Sequence, residues 1–195
     1  MLFRLWPTEA FTKAPLNPNG LIYVIDDDAH VRGALANLFE SVGLRAETFA
    51  TTAEFLANWR NDAPQCLVLD VRLQGISGLE FQSQLGAANI NIPIIFITGY
   101  GDIPMTVKAM KAGAVEFLMK PVREQDLLDA VRIALDNDRN RQEKEQMVAE
   151  LRARVESLTP REREVMTLAA IMHYAARFRT SVELARAGNP VGWIG

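Results

Sequence analysis

Four short apolar runs, each closing on a polar residue, constrain this chain more than any other feature. Leu21 to Ile25 runs into Asp26 and Asp27, Cys66 to Leu69 into Asp70, Ile94 to Ile97 into Thr98, and Val115 to Met119 into Lys120. Leu21 to Ile25 is a continuous apolar run, as suits a strand buried on both faces. Between the runs, apolar residues recur at helical spacing. Val31, Ala34, Leu35, Leu38 and Val42 form one such stripe, with a stop at Gly43. Arg45 to Phe49 is short and mixed, as suits an edge strand. Thr51 and Glu54 have the spacing of a capping box opening a helix with Phe55, Leu56 and Trp59. Gly75 and Gly78 lead into a helix over Leu79 to Leu85. Gly99 and Gly101 lead into one with Pro104 in its first turn, and Lys120-Pro121 into one starting near Glu124. Five βα units predict an α/β fold, a doubly wound five-stranded parallel sheet with helices on both faces. Such sheets place their functional crevice beyond the carboxyl ends of the strands.

Composition bounds the function classes. At 195 residues, 49% hydrophobic and 23% charged, the chain is that of a globular protein. A net charge of -3 gives no global nucleic-acid signal, so any such binding needs a local patch. Cys66 is the sole cysteine, which excludes an intrachain disulfide; inside an apolar run it reads as a buried, inert thiol. That fits a reducing compartment, and a cytoplasmic location is expected. No apolar run reaches the roughly 18 residues needed to span a bilayer, so no membrane partner is expected. Residues 1–20 carry Pro7, Pro15 and Pro18 without a continuous apolar core, and are expected to be a flexible extension rather than a signal peptide.

The chain changes character near Asp136. From there to Glu164, 15 of 29 residues are charged, with both signs interspersed. Leu128, Val131 and Leu135, then Met147, Leu151, Val155 and Leu158, keep an apolar stripe that lapses around residues 138–141. A solvated extension of the last helix explains this, and a partner-facing or coiled segment is the sharper alternative. A helical run follows from Val165 to Ala176, and residues 188–195 read as irregular. Neither His30 nor His173 has metal-ligand spacing.

The polar residues at the strand ends carry the chemistry. Asp26, Asp27 and Asp70 meeting in one crevice would repel unless a cation binds or one takes up a proton. Carboxylate oxygens without His or Cys nearby suit a hard ion, Mg²⁺ above all. Aspartate is a competent phosphoryl acceptor. Lys120 would offer a point charge to phosphoryl oxygens and the Thr98 hydroxyl a donor. Asp28 is most simply the N-cap of the first helix.

In this order and at intervals of 43, 28 and 22 residues, Asp27, Asp70, Thr98 and Lys120 resemble the receiver domain of two-component response regulators. The stretch from Ile97 through Gly101-Asp-Ile-Pro104 to Ala114 is similar to the FixJ/NarL group. The resemblance implies a flavodoxin/CheY-like sheet of order 2-1-3-4-5 over residues 21–138. It also implies a phosphoacceptor rather than an enzyme in the usual sense, with self-catalysed phosphotransfer and autodephosphorylation only. A sensor histidine kinase would phosphorylate Asp70, with Mg²⁺ held by Asp27, Asp70 and the backbone carbonyl of Arg72, and Asp26 helping through water. Thr98 and Phe117 fall on the switch positions, though Phe117 lacks a hydroxyl and core packing explains it as well. The Lys120-Pro121 bond would be cis. Gln74 departs from the family, where proline often follows the acceptor. Homodimerisation on phosphorylation would use the face from Ile103 through Ala112 and from Val115 through Leu118.

After a helical linker over residues 139–157, Ser157 to Met166 is similar to the opening of a LuxR-type helix-turn-helix domain, with Thr159 as cap and Pro160 at the first helical position. The pattern breaks off near residue 170, so residues 158–195 are expected to be a partial, aberrant output region, truncated or frameshifted. DNA is therefore a partner the family implies and this chain's end speaks against, although Arg177, Arg179 and Arg186 are basic. The leading expectation is a phosphorylation-switched transcriptional regulator. One alternative is a receiver that works without sequence-specific DNA binding. A remote one is a haloacid-dehalogenase-like phosphatase using the Asp-x-Asp of Asp26 and Asp28, where His30 stands in place of the Thr or Val that family wants.

Overall fold

The computed structural model describes residues 20–186 apart from Tyr100 and Asp102, with side chains followed to residue 175. The expectations for residues 1–19 and 188–195, and for the side chains of Arg177, Arg179 and Arg186, lie outside the described residues. The elements run β1 (Leu21–Ile25), α1 (Ala29–Ser41), β2 (Arg45–Phe49), α2 (Thr52–Asn58), β3 (Gln65–Asp70), α3 (Gly78–Ala87), β4 (Ile94–Thr98), α4 (Ile103–Lys111), β5 (Glu116–Met119), α5 (Glu124–Glu156) and α6 (Pro160–Arg186). The five strands form one sheet of order β2-β1-β3-β4-β5, all parallel, as expected. The chain divides into two compact units between Glu143 and Lys144.

Within the first unit the strand period of two sorts the core into two layers. Tyr23, Ile25, Leu67, Leu69 and Phe96 face Phe55 of α2, Phe81 and Leu85 of α3 and Ala109 of α4. Ile22, Val24, Cys66, Val68, Ile95 and Ile97 face Leu35 and Phe39 of α1 and Leu127, Val131 and Leu135 of α5. On α1 the buried stripe runs through Leu35 and Phe39, while Val42 is 37% exposed and serves as the C-cap. Phe39 thus takes the inward place that periodicity gave to Val42. Cys66 is buried, and desolvation pushes its thiol far above the usual range, so it is inert at neutral pH.

The helix starts follow from their caps. Asp28 Oδ1 accepts from the N–H of His30, as an N-cap should. At α2, Thr51 Oγ1 accepts from the N–H of Glu54, but Glu54 reaches back to the N–H of Ala50 rather than of Thr51. The expected capping box is therefore half formed there. A complete one stands at Ser77 and Glu80 of α3, and another links Thr159 to Glu162, with Pro160 as the first residue of α6. From Pro160 to Arg186 the backbone is one continuous helix. No described helix is long and apolar enough to cross a membrane.

The lapse in the apolar stripe near residue 138 has a structural cause. Asp138 is fully buried, and its Oδ2 accepts from the backbone N–H that begins β3 at Gln65 (3.0 Å) and from Gln142 Nε2 (2.8 Å). Its Oδ1 accepts from Arg141 Nη2 at 2.6 Å, and Gln142 Nε2 also donates to the carbonyl of Ala63. A polar anchor thus replaces the apolar contact just where α5 passes the end of the sheet.

Two outcomes follow for stability. Asp138→Ala strands the Gln65 N–H, while the partly exposed Arg141 turns to solvent, so a loss of about 1–3 kcal/mol is expected in urea unfolding. The His30 N–H holds the Asp28 carboxyl below its usual range. Its contribution is therefore complete above the unfolded value near pH 4 and is lost as pH falls through the folded value. Asp28→Asn keeps the cap without the titration, and its urea midpoint should fall less steeply than that of the wild type as pH drops below about 4.

Candidate functional site

Parallel order brings the carboxyl ends of β1, β3, β4 and β5 to one edge, and the polar residues that close these strands converge there. Asp26, directly after β1, is completely buried. Its Oδ1 accepts from the N–H of Asp28 at 2.9 Å, and its Oδ2 from Lys120 Nζ at 2.6 Å. Arg32 Nη1 donates to its backbone carbonyl at 2.7 Å. Asp70 ends β3 with Oδ1 accepting from the N–H of Arg72 (3.0 Å) and Oδ2 from the same Lys120 Nζ (2.7 Å). Lys120 follows β5, and its own N–H donates to the carbonyl of Thr98 at the end of β4 (2.8 Å). The Lys120-Pro121 bond is cis, as expected. One ammonium thus links the ends of β1 and β3, and its backbone is tied to β4.

Asp27 is exposed, and a carboxylate oxygen from each of Asp26, Asp27 and Asp70 lies within 4.8 Å of the others. Thr98 is buried. Burial pushes the Asp26 carboxyl above its usual range despite the adjacent ammonium. Burial draws Lys120 down, but hydrogen bonds and charge from Asp26 and Asp70 outweigh it, and the ammonium is held above its ordinary value. Three carboxylates against one ammonium leave the crevice electronegative. The donor set is all oxygen and fits a hard divalent cation. Asp28 points elsewhere: its carboxylate caps α1, so no observation favours the phosphatase use of Asp26 and Asp28, nor does any favour a receiver-only protein.

Residues beyond the sequence reading complete the site. Gly78, the first residue of α3, donates its N–H to the carbonyl of Val71 at 2.9 Å. A Cβ at this position would sit 2.5 Å from the carbonyl oxygen of Asp70 and 3.1 Å from Val71 Cα. Only glycine lets α3 start this close to Asp70. A glycine right after a Ser cap was the available signal, since glycine is a poor opener for a helix. Arg32 carried no such signal. Phe117 is half buried and packs on the core beside Phe96, with ring centroids 6.1 Å apart, so packing accounts for it. On α4, Ile103, Val107 and Met110 are exposed while Met105 packs against the core; Val115, just before β5, and Leu118 on β5 pack against it as well.

Known proteins are similar to this chain in sequence and fold. The description "Response regulator receiver domain" matches residues 22–132. Nodulation protein W of Bradyrhizobium diazoefficiens is 53% identical over 163 residues, covering 84% of this chain and 69% of that protein. The transcriptional regulatory protein FixJ of the same organism is 38% identical over 151 residues, covering 77% of this chain and 74% of its own length. Among solved structures, the response regulator StyR superposes with a TM-score of 0.73 at 42% identity, covering 87% of this chain and 89% of that one. The chain therefore belongs to the response regulator receiver family, among relatives of the FixJ/NarL type.

Proposed function

We propose that this chain is a two-component response regulator that takes a phosphoryl group onto Asp70 from a sensor histidine kinase. The observation that carries the reading is Lys120 Nζ held 2.6 Å from Asp26 and 2.7 Å from Asp70 inside an acidic cluster. Asp70 is gripped at both carboxylate oxygens, by Arg72 N–H and by Lys120, so its orientation is set before a donor arrives. A carboxylate oxygen of Asp70 bonds to phosphorus as the bond from phosphorus to the kinase histidine nitrogen breaks. Asp27, Asp70 and the carbonyl of Arg72 would hold Mg²⁺, with Asp26 assisting through water. When bound, the ion supplies charge neutralisation for the phosphoryl oxygens. Lys120 leaves the acidic cluster to meet the new phosphoryl group, and Thr98 offers its hydroxyl to the same oxygens. The same geometry, presented with water, serves autodephosphorylation, and no other enzymatic activity is assigned.

Downstream, Thr98 and Phe117 act as the switch. The exposed Ile103, Val107 and Met110, with the β5 edge, form the face on which two phosphorylated receivers pair. Similarity to a transcriptional regulatory protein supports transcriptional output and DNA as the final partner. A lone buried thiol is consistent with the cytoplasm as the working compartment.

Incubation with acetyl phosphate and Mg²⁺ should label the wild type and Asp28→Asn, and should not label Asp70→Asn. Equal labelling of wild type and Asp70→Asn would refute the assignment. A metal that binds only the folded chain must also raise its stability. Mg²⁺ at a hundred times its Kd should add about 2.7 kcal/mol, read as a concentration-dependent Tm, and Asp27→Ala should remove most of that rise.

A further inference from the structure

Residues 143–157, the last turns of α5 and the start of the turn that follows, are exposed throughout. Their apolar members are nevertheless not scattered. Met147, Val148, Leu151 and Val155 are 63%, 45%, 53% and 37% exposed, and they fall within about a 100° arc at 3.6 residues per turn. Val148, Leu151 and Val155 are spaced three and four apart, with leucine between two β-branched residues, and Leu158 follows in the turn beyond the helix. That spacing is the a/d register of a two-stranded parallel pair. The rest of this surface is charged, polar or small.

We infer that this stripe is a self-association seam whose occupant is the same stripe of a second copy of the chain, in parallel. Three observations favour a second copy. Valine at a with leucine at d is the combination that fits its own image across a two-fold axis. In that register Met147 of one copy faces Arg152 of the other and Asn140 faces Glu145, so no flanking pair sets like charges together. The size also fits. Four or five half-exposed side chains per copy bury an area at or below the roughly 1,200 Å² of a stable interface. Such a seam is too weak to hold two free chains together at low concentration and closes once they are brought near each other by another contact. It is distinct from the α4–β5 face, and only its triggering by phosphorylation rests on the proposed function.

Disulfide trapping in the full-length chain tests this, because the native thiol, Cys66, is buried and inert. Leu151→Cys should give a covalent dimer under mild oxidation at least tenfold faster than Ala153→Cys, whose side chain points away from the seam. Sedimentation should show at least tenfold weaker self-association in Val148→Glu/Leu151→Glu, with labelling of Asp70 unchanged. The mutated residues are exposed, so folding is not at stake. Equal trapping at both positions overturns the seam. So does a monomer whose introduced thiol at position 151 is shielded from a maleimide, since the chain then covers its own stripe, and so does shielding by a different protein added in trans. Acceleration of trapping by acetyl phosphate and Mg²⁺ supports phosphorylation as the trigger. Trapping at a rate insensitive to phosphodonor, in protein whose Asp70 is labelled, supports the seam and removes that trigger alone.

Discussion

A single ammonium organises the functional edge of this protein. Lys120 Nζ lies 2.6 Å from Asp26 and 2.7 Å from Asp70, residues 94 and 50 positions away in sequence. Two buried carboxylates side by side repel, and burial alone already raises Asp26. The lysine offsets both effects and is itself fixed through its N–H on the carbonyl of Thr98. The ends of β1, β3 and β4 are thereby referred to one residue after β5. Any group that draws Lys120 away, or adds positive charge between the carboxylates, changes the balance at all of them together. That coupling is what makes a compact acidic edge suitable as a switch.

How much of this was legible in the sequence depended on the range of the interaction that reports it. β1, β3 and β4 were legible because strands buried on both faces carry unbroken apolar runs, each ending on a residue that apolar packing would reject. The edge strands β2 and β5 are mixed and were placed by their position between helical stripes. Asp26, Asp27, Asp70, Thr98 and Lys120 converge because parallel strands put their carboxyl ends on one edge, so spacing along the chain was sufficient. The Asp28 cap and the Thr159 cap were legible because a cap is a contact between near neighbours. Asp138 was not, because its partner, the first N–H of β3, lies 73 residues away. Gly78 and Arg32 meet the carbonyls of Asp70 and Asp26 nearby in the chain, but through loop paths that no helical or strand period reports. Asp138 left a trace, the lapse in the helical stripe, but a lapse looks the same whether the residue faces water or a buried amide. The half-formed capping box at Thr51 shows the converse limit. The spacing was right, and the backbone chose Ala50 over Thr51 as the donor to Glu54.

The receiver edge and the Asp138 anchor lie at opposite ends of the same strand. Asp70 closes β3, and the Gln65 N–H that opens it is held by Asp138 of α5. β3 is the central strand of the sheet and is buried along its whole length. It cannot shift without disturbing both neighbours. The strand is therefore held at both ends, and under the proposed function movement falls on the loops beyond it rather than on β3.

Gly101 sits where Thr98 and Phe117 pack closest together. A Cβ there would lie 2.9 Å and 3.3 Å from the ring of Phe117 and 3.4 Å from Thr98 Cγ2. The two residues proposed as the switch therefore border the same glycine, and a side chain at 101 would touch both. Phe117 has no hydroxyl to hold it in one orientation. Its position is decided by packing against Phe96 and by the space above Gly101, two non-directional contacts that distinguish one rotamer from another less sharply than a hydrogen bond would. Thr98, fully buried, has little freedom except toward the crevice, where a phosphoryl oxygen would draw its hydroxyl. A shift of Thr98 changes the volume next to Phe117, and the ring can follow because packing alone restrains it. Under the proposed function, contact between Thr98, Gly101 and the Phe117 ring offers one route by which a change at the acceptor reaches β5.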